Sequence, residues 1–180
     1  MKGLTDMEKQ TIRQKAFDLL KKYNIDATNG VDVLSLAQKM EFVVGNADID
    51  DNEDGFILVN EDVKEILGVK TKKLIGVNVK RDLSEKRFII AHELGHYILH
   101  CQGDRIYAWR ESKHGRSDDE NDVDYFAACL LMPEHEFIAK YNELKSAGNL
   151  DQIKIASRLE DIFRVPCLSI LRRFEELELS

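Results

Sequence analysis

Two histidines four residues apart enclose a glutamate in the run FIIAHELGHYILH, residues 88–100. The motif His92-Glu93-Leu94-Gly95-His96 is H-E-x-x-H, and it constrains the fold because its chemistry needs a helix. On a helix, positions i and i+4 lie about 40° apart around the axis and about 6 Å along it, so both imidazoles can converge on one ion. Glu93 then projects to the flank of that ion. The same helix has to bury its other side, and Ala91, Leu94, Ile98 and Cys101 supply an apolar stripe opposite the histidines. The rest of the chain must therefore build a hydrophobic layer against this helix and bring a further ligand to its histidine face.

His100 continues the i+4 series, but it lies about 12 Å from His92 along the axis. Nitrogens bound to one ion at about 2.0–2.1 Å sit only a few ångström apart, so His100 is excluded as the third ligand. A second acidic helix is expected in SDDENDVDYFAACLLMP, residues 117–133. Val123, Phe126, Ala127, Leu130 and Leu131 follow helical spacing there, and Pro133 ends it. Glu120 and Asp124 share a face of this helix away from Phe126 and Leu130. One carboxylate can bind the metal while the other hydrogen-bonds the second ring nitrogen of a histidine ligand. Glu120 is the preferred third ligand and Asp124 the partner, although the spacing also allows the reverse. Asp122 is off that face, and Asp118 and Asp119 read as helix N-terminal charges.

The remainder of the chain reads as helices, then a small sheet, then more helices, which is an α+β order rather than alternating βαβ. Residues 7–23 and 31–40 have helical periodicity; FVVG, GFILV and KLIGVNV read as strands. KLIGVNV fits either an edge strand, where an extended peptide could dock, or a central one. The turn DDNEDGFILVNE matches a calcium-loop pattern through Asp50, Asn52, Asp54, Gly55 and Glu61. A β-branched, glycine-interrupted stretch precedes it where a helix is needed, so it reads as a solvated acidic turn entering a strand. In the C-terminal IASRLEDIFRVPCLSILRRFEELELS, a helix-turn-helix is hinted around Phe163 to Pro166. Arg164 stands where such a turn favours glycine and the surroundings are acidic, so two packed helices are expected.

A length of 180 residues and a composition 43% hydrophobic and 33% charged fit one soluble domain, residues 1–180, with about 150–180 a helical pair packed on it. A net charge of −7 argues against nucleic-acid binding, which needs clustered Lys and Arg. No signal-peptide pattern or apolar span of about 18 residues is present, so a cytoplasmic protein with no membrane association is expected. Cys101, Cys129 and Cys167 are odd in number and lie in apolar runs, the pattern of buried thiols.

RFIIAHELGHYILH, followed by an acid at Glu120 and then V-D-x-F-A-A-C-L-L-M-P, resembles the ImmA/IrrE metallopeptidases. The likeness continues upstream through DVLSLAQKM, GFILV and KLIGVNV; Val123 stands where the family often has Ala. The resemblance implies a zincin-like, gluzincin-like fold with a small, mainly antiparallel sheet against the H-E-x-x-H helix. It implies that His92, His96 and Glu120 bind zinc, that Glu93 is catalytic and that Asp124 is a partner on the Glu120 helix. Manganese suits the same ligands. It also implies cleavage of a helix-turn-helix transcriptional repressor, relieving repression of a mobile element or a stress response. The chain looks like the compact form associated with mobile elements, without an added DNA-binding or sensory domain. His100, Tyr97, Tyr125 and His114 are candidates to contact substrate or its oxyanion. A metal-dependent protein that captures the repressor without cutting it, and a zinc amidase acting on a small substrate, are the competing readings.

Overall fold

The computed structural model describes residues 4–66, 68–101, 107–110, 118–148 and 150–179. Thr5 opens the first helix with a capping box: its hydroxyl accepts from the Glu8 amide at 3.3 Å, and the Glu8 carboxylate accepts from the Thr5 amide at 2.7 Å. Helix α1 (Asp6–Lys22) buries Ile12, Ala16, Leu19 and Leu20, and α2 (Val33–Lys39) is capped by Asp32. Strands β1 (Val43–Ala47), β2 (Gly55–Ile66) and β3 (Val69–Asn78) follow. Then come α3 (Leu83–His100), β4 (Tyr107–Arg110) and α4 (Asp118–Leu131). Helices α5 (Glu134–Ser146), α6 (Gln152–Phe163) and α7 (Cys167–Glu176) complete a mixed α+β arrangement. No described helix is long and apolar enough to cross a membrane.

The strands form one sheet in the order β1-β3-β2-β4, with β1 parallel to β3 and the other pairs antiparallel. KLIGVNV lies in β3, between β1 and β2, so its edge-strand reading is corrected. The unbroken burial from Leu74 to Asn78 is that of a strand covered on both faces. Strand β4 pairs with β2 through Phe56↔Arg110 to Val59↔Tyr107. It was not expected from the sequence, where four residues between helical signals give too short a pattern to read.

The calcium-like turn runs into a strand, as expected, and Asn78 holds it in place. The buried Asn78 side-chain amide donates to the carbonyls of Asp50 at 3.1 Å and Glu53 at 2.7 Å, and its backbone N–H donates to Asp54 O at 2.9 Å. Arg81 Nε donates to the Asp54 carboxylate at 2.6 Å. These bonds fix the start of β2 beside α3.

Helix α3 departs from the simple amphipathic expectation, because every residue from Ile89 to His96 is buried. The sheet covers one side and α4 the other, the environment of an interior helix. Each fully buried Ile or Leu in this layer contributes about 1.5–3 kcal/mol. Gly95 permits the approach of α4: a Cβ there would lie 2.8 Å from Val123 Cγ1 and 3.1 Å from Phe126 Cδ1.

At the C-terminal end, Arg164 adopts φ 53°, ψ 50° as the C-cap of α6. A non-glycine residue in this left-handed region costs about 1–2 kcal/mol. Its carbonyl accepts from Arg87 Nε at 3.0 Å, which ties the strained turn to α3. Phe137, Phe163, Phe174 and Tyr141 then pack α5, α6 and α7 together, with ring centroids 5.3–6.0 Å apart. Buried Arg173 donates to Glu176 at 2.6 Å and approaches Cys129 Sγ at 3.8 Å, fixing α7 against α4. All three cysteines are free; Cys129 is buried and Cys101 half-buried, but Cys167 is exposed at the start of α7, contrary to expectation.

Candidate metal centre

The second capping box, between Asp82 and Glu85, sets where α3 begins and so places His92 and His96 against the neighbouring face of α4. His92 Nε2 lies 3.0 Å from His96 Nε2 and 3.3 Å from Glu120 Oε2, and His96 Nε2 lies 3.7 Å from Glu120 Oε1. Ligand atoms about 2.0–2.1 Å from a tetrahedral zinc ion are about 3.3 Å apart. The triangle has that size, and two imidazoles with a carboxylate are a suitable donor set, so His92, His96 and Glu120 could hold a metal ion.

Asp124, one turn beyond Glu120, accepts from His92 Nδ1 at 3.0 Å. That bond places the ring proton on Nδ1 and leaves the Nε2 lone pair for a ligand role. His96 is fully buried. Burial, followed by the charges of His92 and His100, lowers its pKa from 6.5 to about 3, so it is neutral at physiological pH. Metal ligation needs the neutral imidazole.

Glu93 is fully buried. A Cβ at Gly55 would lie 3.3 Å from Glu93 Oε1 and 2.6 Å from Ile89 Cγ2, so the missing side chain at the start of β2 makes room for the glutamate. Gly55 and Gly95 were missed as site-forming positions. Close approaches of this kind leave no periodic signal in one sequence, although both glycines interrupt segments that otherwise favour side chains.

The remaining candidates separate. The His100 ring lies 5.9 Å from the His96 ring, and its buried Nε2 has no hydrogen-bond partner among the described residues. Tyr97 packs edge-on against Phe42 with centroids 5.1 Å apart, and Lys73 sits over its ring at 5.3 Å. Tyr125 turns to α1, where its oxygen accepts from Arg13 Nη2 at 3.2 Å while Arg13 also pairs with Glu134. Both tyrosines are thus engaged on other faces of their helices. His114 lies outside the described residues.

A cleft of about 220 Å³ opens beside His92 and Asp124. Helix α3 and the first two turns of α7 line it, together with Arg81 and Asp54. That the C-terminal helix lines a cleft with His92 has no local signature in the sequence, because it depends on tertiary packing alone.

An α+β fold that presents H-E-x-x-H on a buried helix, with a carboxylate from a second helix beside it, has the donor set of the H-E-x-x-H class of metal-site proteins. The model for the IrrE N-terminal-like domain, peptidase family M78, matches residues 47–175. The chain belongs to that family, which makes a metallopeptidase activity and a protein substrate the coarse functional assignment. A comparison with curated proteins finds no match.

Proposed function

We propose that residues 1–180 form a single zincin-like domain, a zinc-dependent endopeptidase that cuts a helix-turn-helix transcriptional repressor at one site. Relief of repression of a mobile element or stress response follows from the cut, and the protein works in the cytoplasm. The observation that supports this reading most is the triangle of His92, His96 and Glu120 with buried Glu93 beside it.

When bound, a zinc ion supplies Lewis acidity, acidifying a water and polarising the scissile carbonyl. Glu93 acts as general base, taking a proton from the attacking water and returning it to the leaving amine. The buried surroundings of Glu93 exclude competing solvent. Asp124 holds the His92 ring in the orientation and tautomer that ligation requires. His100, with its buried Nε2, is the preferred contact for the carbonyl oxygen as it gains negative charge. The substrate runs extended along a free sheet edge, which the strand order limits to β1 or β4 among the described residues.

Incubating the metal-loaded protein with a candidate repressor tests the reading. One discrete cut, absent in Glu93→Gln, supports it; a repressor bound stoichiometrically and left intact contradicts it.

A further inference from the structure

The cleft beside His92 has a chemical bias of its own. Glu85, Phe88, Ile89 and His92 recur at i, i+3, i+4 and i+7, so one face of α3 forms its floor. Leu168, 57% exposed, and Arg172 stand opposite on α7. At about 220 Å³ the space is smaller than the roughly 300–1,000 Å³ of small-molecule pockets. It suits one or two side chains of an extended peptide.

Most charges lining it are already committed. Arg81 donates to Asp54 at 2.6 Å, the Glu85 carboxylate accepts from the Asp82 amide at 2.9 Å, and Asp124 accepts from His92. Arg172 is exposed and makes no hydrogen bond or ion pair among the described residues. An uncommitted guanidinium at the rim of a partly apolar cleft selects a carboxylate, for which its planar fork is shaped.

We infer that Arg172 determines specificity: it receives a carboxylate of the substrate in the subsite between α3 and α7, next to an apolar neighbour held by Leu168 and Phe88. This rests on the peptidase reading above. The carboxylate belongs either to an Asp or Glu side chain or to a free peptide C-terminus, and the two sources call for different probes.

Short peptide hydroxamates, anchored on the zinc-loaded protein, provide them. One series carries Glu or Gln at each of three successive positions with an amidated C-terminus; another carries Gln with a free C-terminal carboxylate. Calorimetry should show the carboxylate-bearing member of one series binding about two- to fivefold more tightly than its neutral counterpart, the size of a partly exposed ion pair. Arg172→Ala should remove that preference and Arg172→Glu reverse it, with unchanged zinc stoichiometry and melting temperature. The series that responds identifies the source. Hydroxamate binding that is indifferent to the carboxylate, or a preference that survives Arg172→Glu, overturns the subsite alone. Failure of every hydroxamate to bind overturns the peptidase reading and the subsite together.

Discussion

At the residue scale, the proposed chemistry divides into ligation, orientation and proton transfer, and each has its own variant. Glu93→Gln keeps the shape of the side chain and loses the base. It should lower cleavage by about 10²–10⁴-fold while metal content, measured by atomic absorption, stays at one equivalent; loss of the metal would show instead that Glu93 is a ligand. Asp124→Asn should weaken metal binding by roughly 10–100-fold, because the His92 ring loses its orienting carboxylate. His96 predicts a pH effect in the metal-free protein. Its pKa is 6.5 in the unfolded chain and about 3 in the fold, so between those values the unfolded chain holds the extra proton. Stability should therefore fall as pH drops from about 6.5 towards 3. Denaturant titrations at pH values across that window check this, and His96→Gln should flatten the dependence.

At the scale of elements, the site depends on how closely α3, α4 and β2 approach one another. Gly95→Ala places a methyl group 2.8 Å from Val123 Cγ1, which must push α4 and its Glu120 and Asp124 away from the histidines. Metal affinity should drop by about tenfold, the lower end of what loss of an orienting contact costs, and competition with a chromophoric chelator measures it. Gly30 makes a comparable contact with α6. Its φ is +87° and a Cβ would meet Ile162 O at 2.7 Å. Gly30→Ala should lower unfolding stability by about 2 kcal/mol or more through displacement of the end of α6. Much of the site was legible because it lies on helices: i, i+4 spacing gives the His92/His96 pair and the Glu120/Asp124 pair, and axial distance removes His100. The sheet was less legible. β2 continues through Glu61, Asp62, Lys64 and Glu65, and its register with β3 shifts between Val59 and Lys64. Charge and irregularity there hide the alternation that marks a strand. The interior position of β3 depends on strand order, which one sequence does not encode locally.

At the scale of the whole molecule, the proposed site links metal binding to folding, since its ligands come from two helices and meet only in the folded chain. Zinc at a free concentration 100-fold above its dissociation constant should raise unfolding stability by about 2.7 kcal/mol, and Glu120→Ala should lose most of that gain. The C-terminal helices reach the cleft beside His92 through α7. The aromatic contacts of Phe174 and the buried Arg173 hold α7 where Leu168 and Arg172 face the cleft. A segment read from its sequence as closure of the core therefore also shapes the space beside His92. A crystal structure of the zinc-loaded protein, with anomalous scattering at the zinc edge, decides whether His92, His96 and Glu120 hold one ion with Glu93 beside it. A single peak is expected about 2.0–2.2 Å from His92 Nε2, His96 Nε2 and a Glu120 carboxylate oxygen. A peak elsewhere, or one held by Asp124 in place of Glu120, would rule this ligand set out.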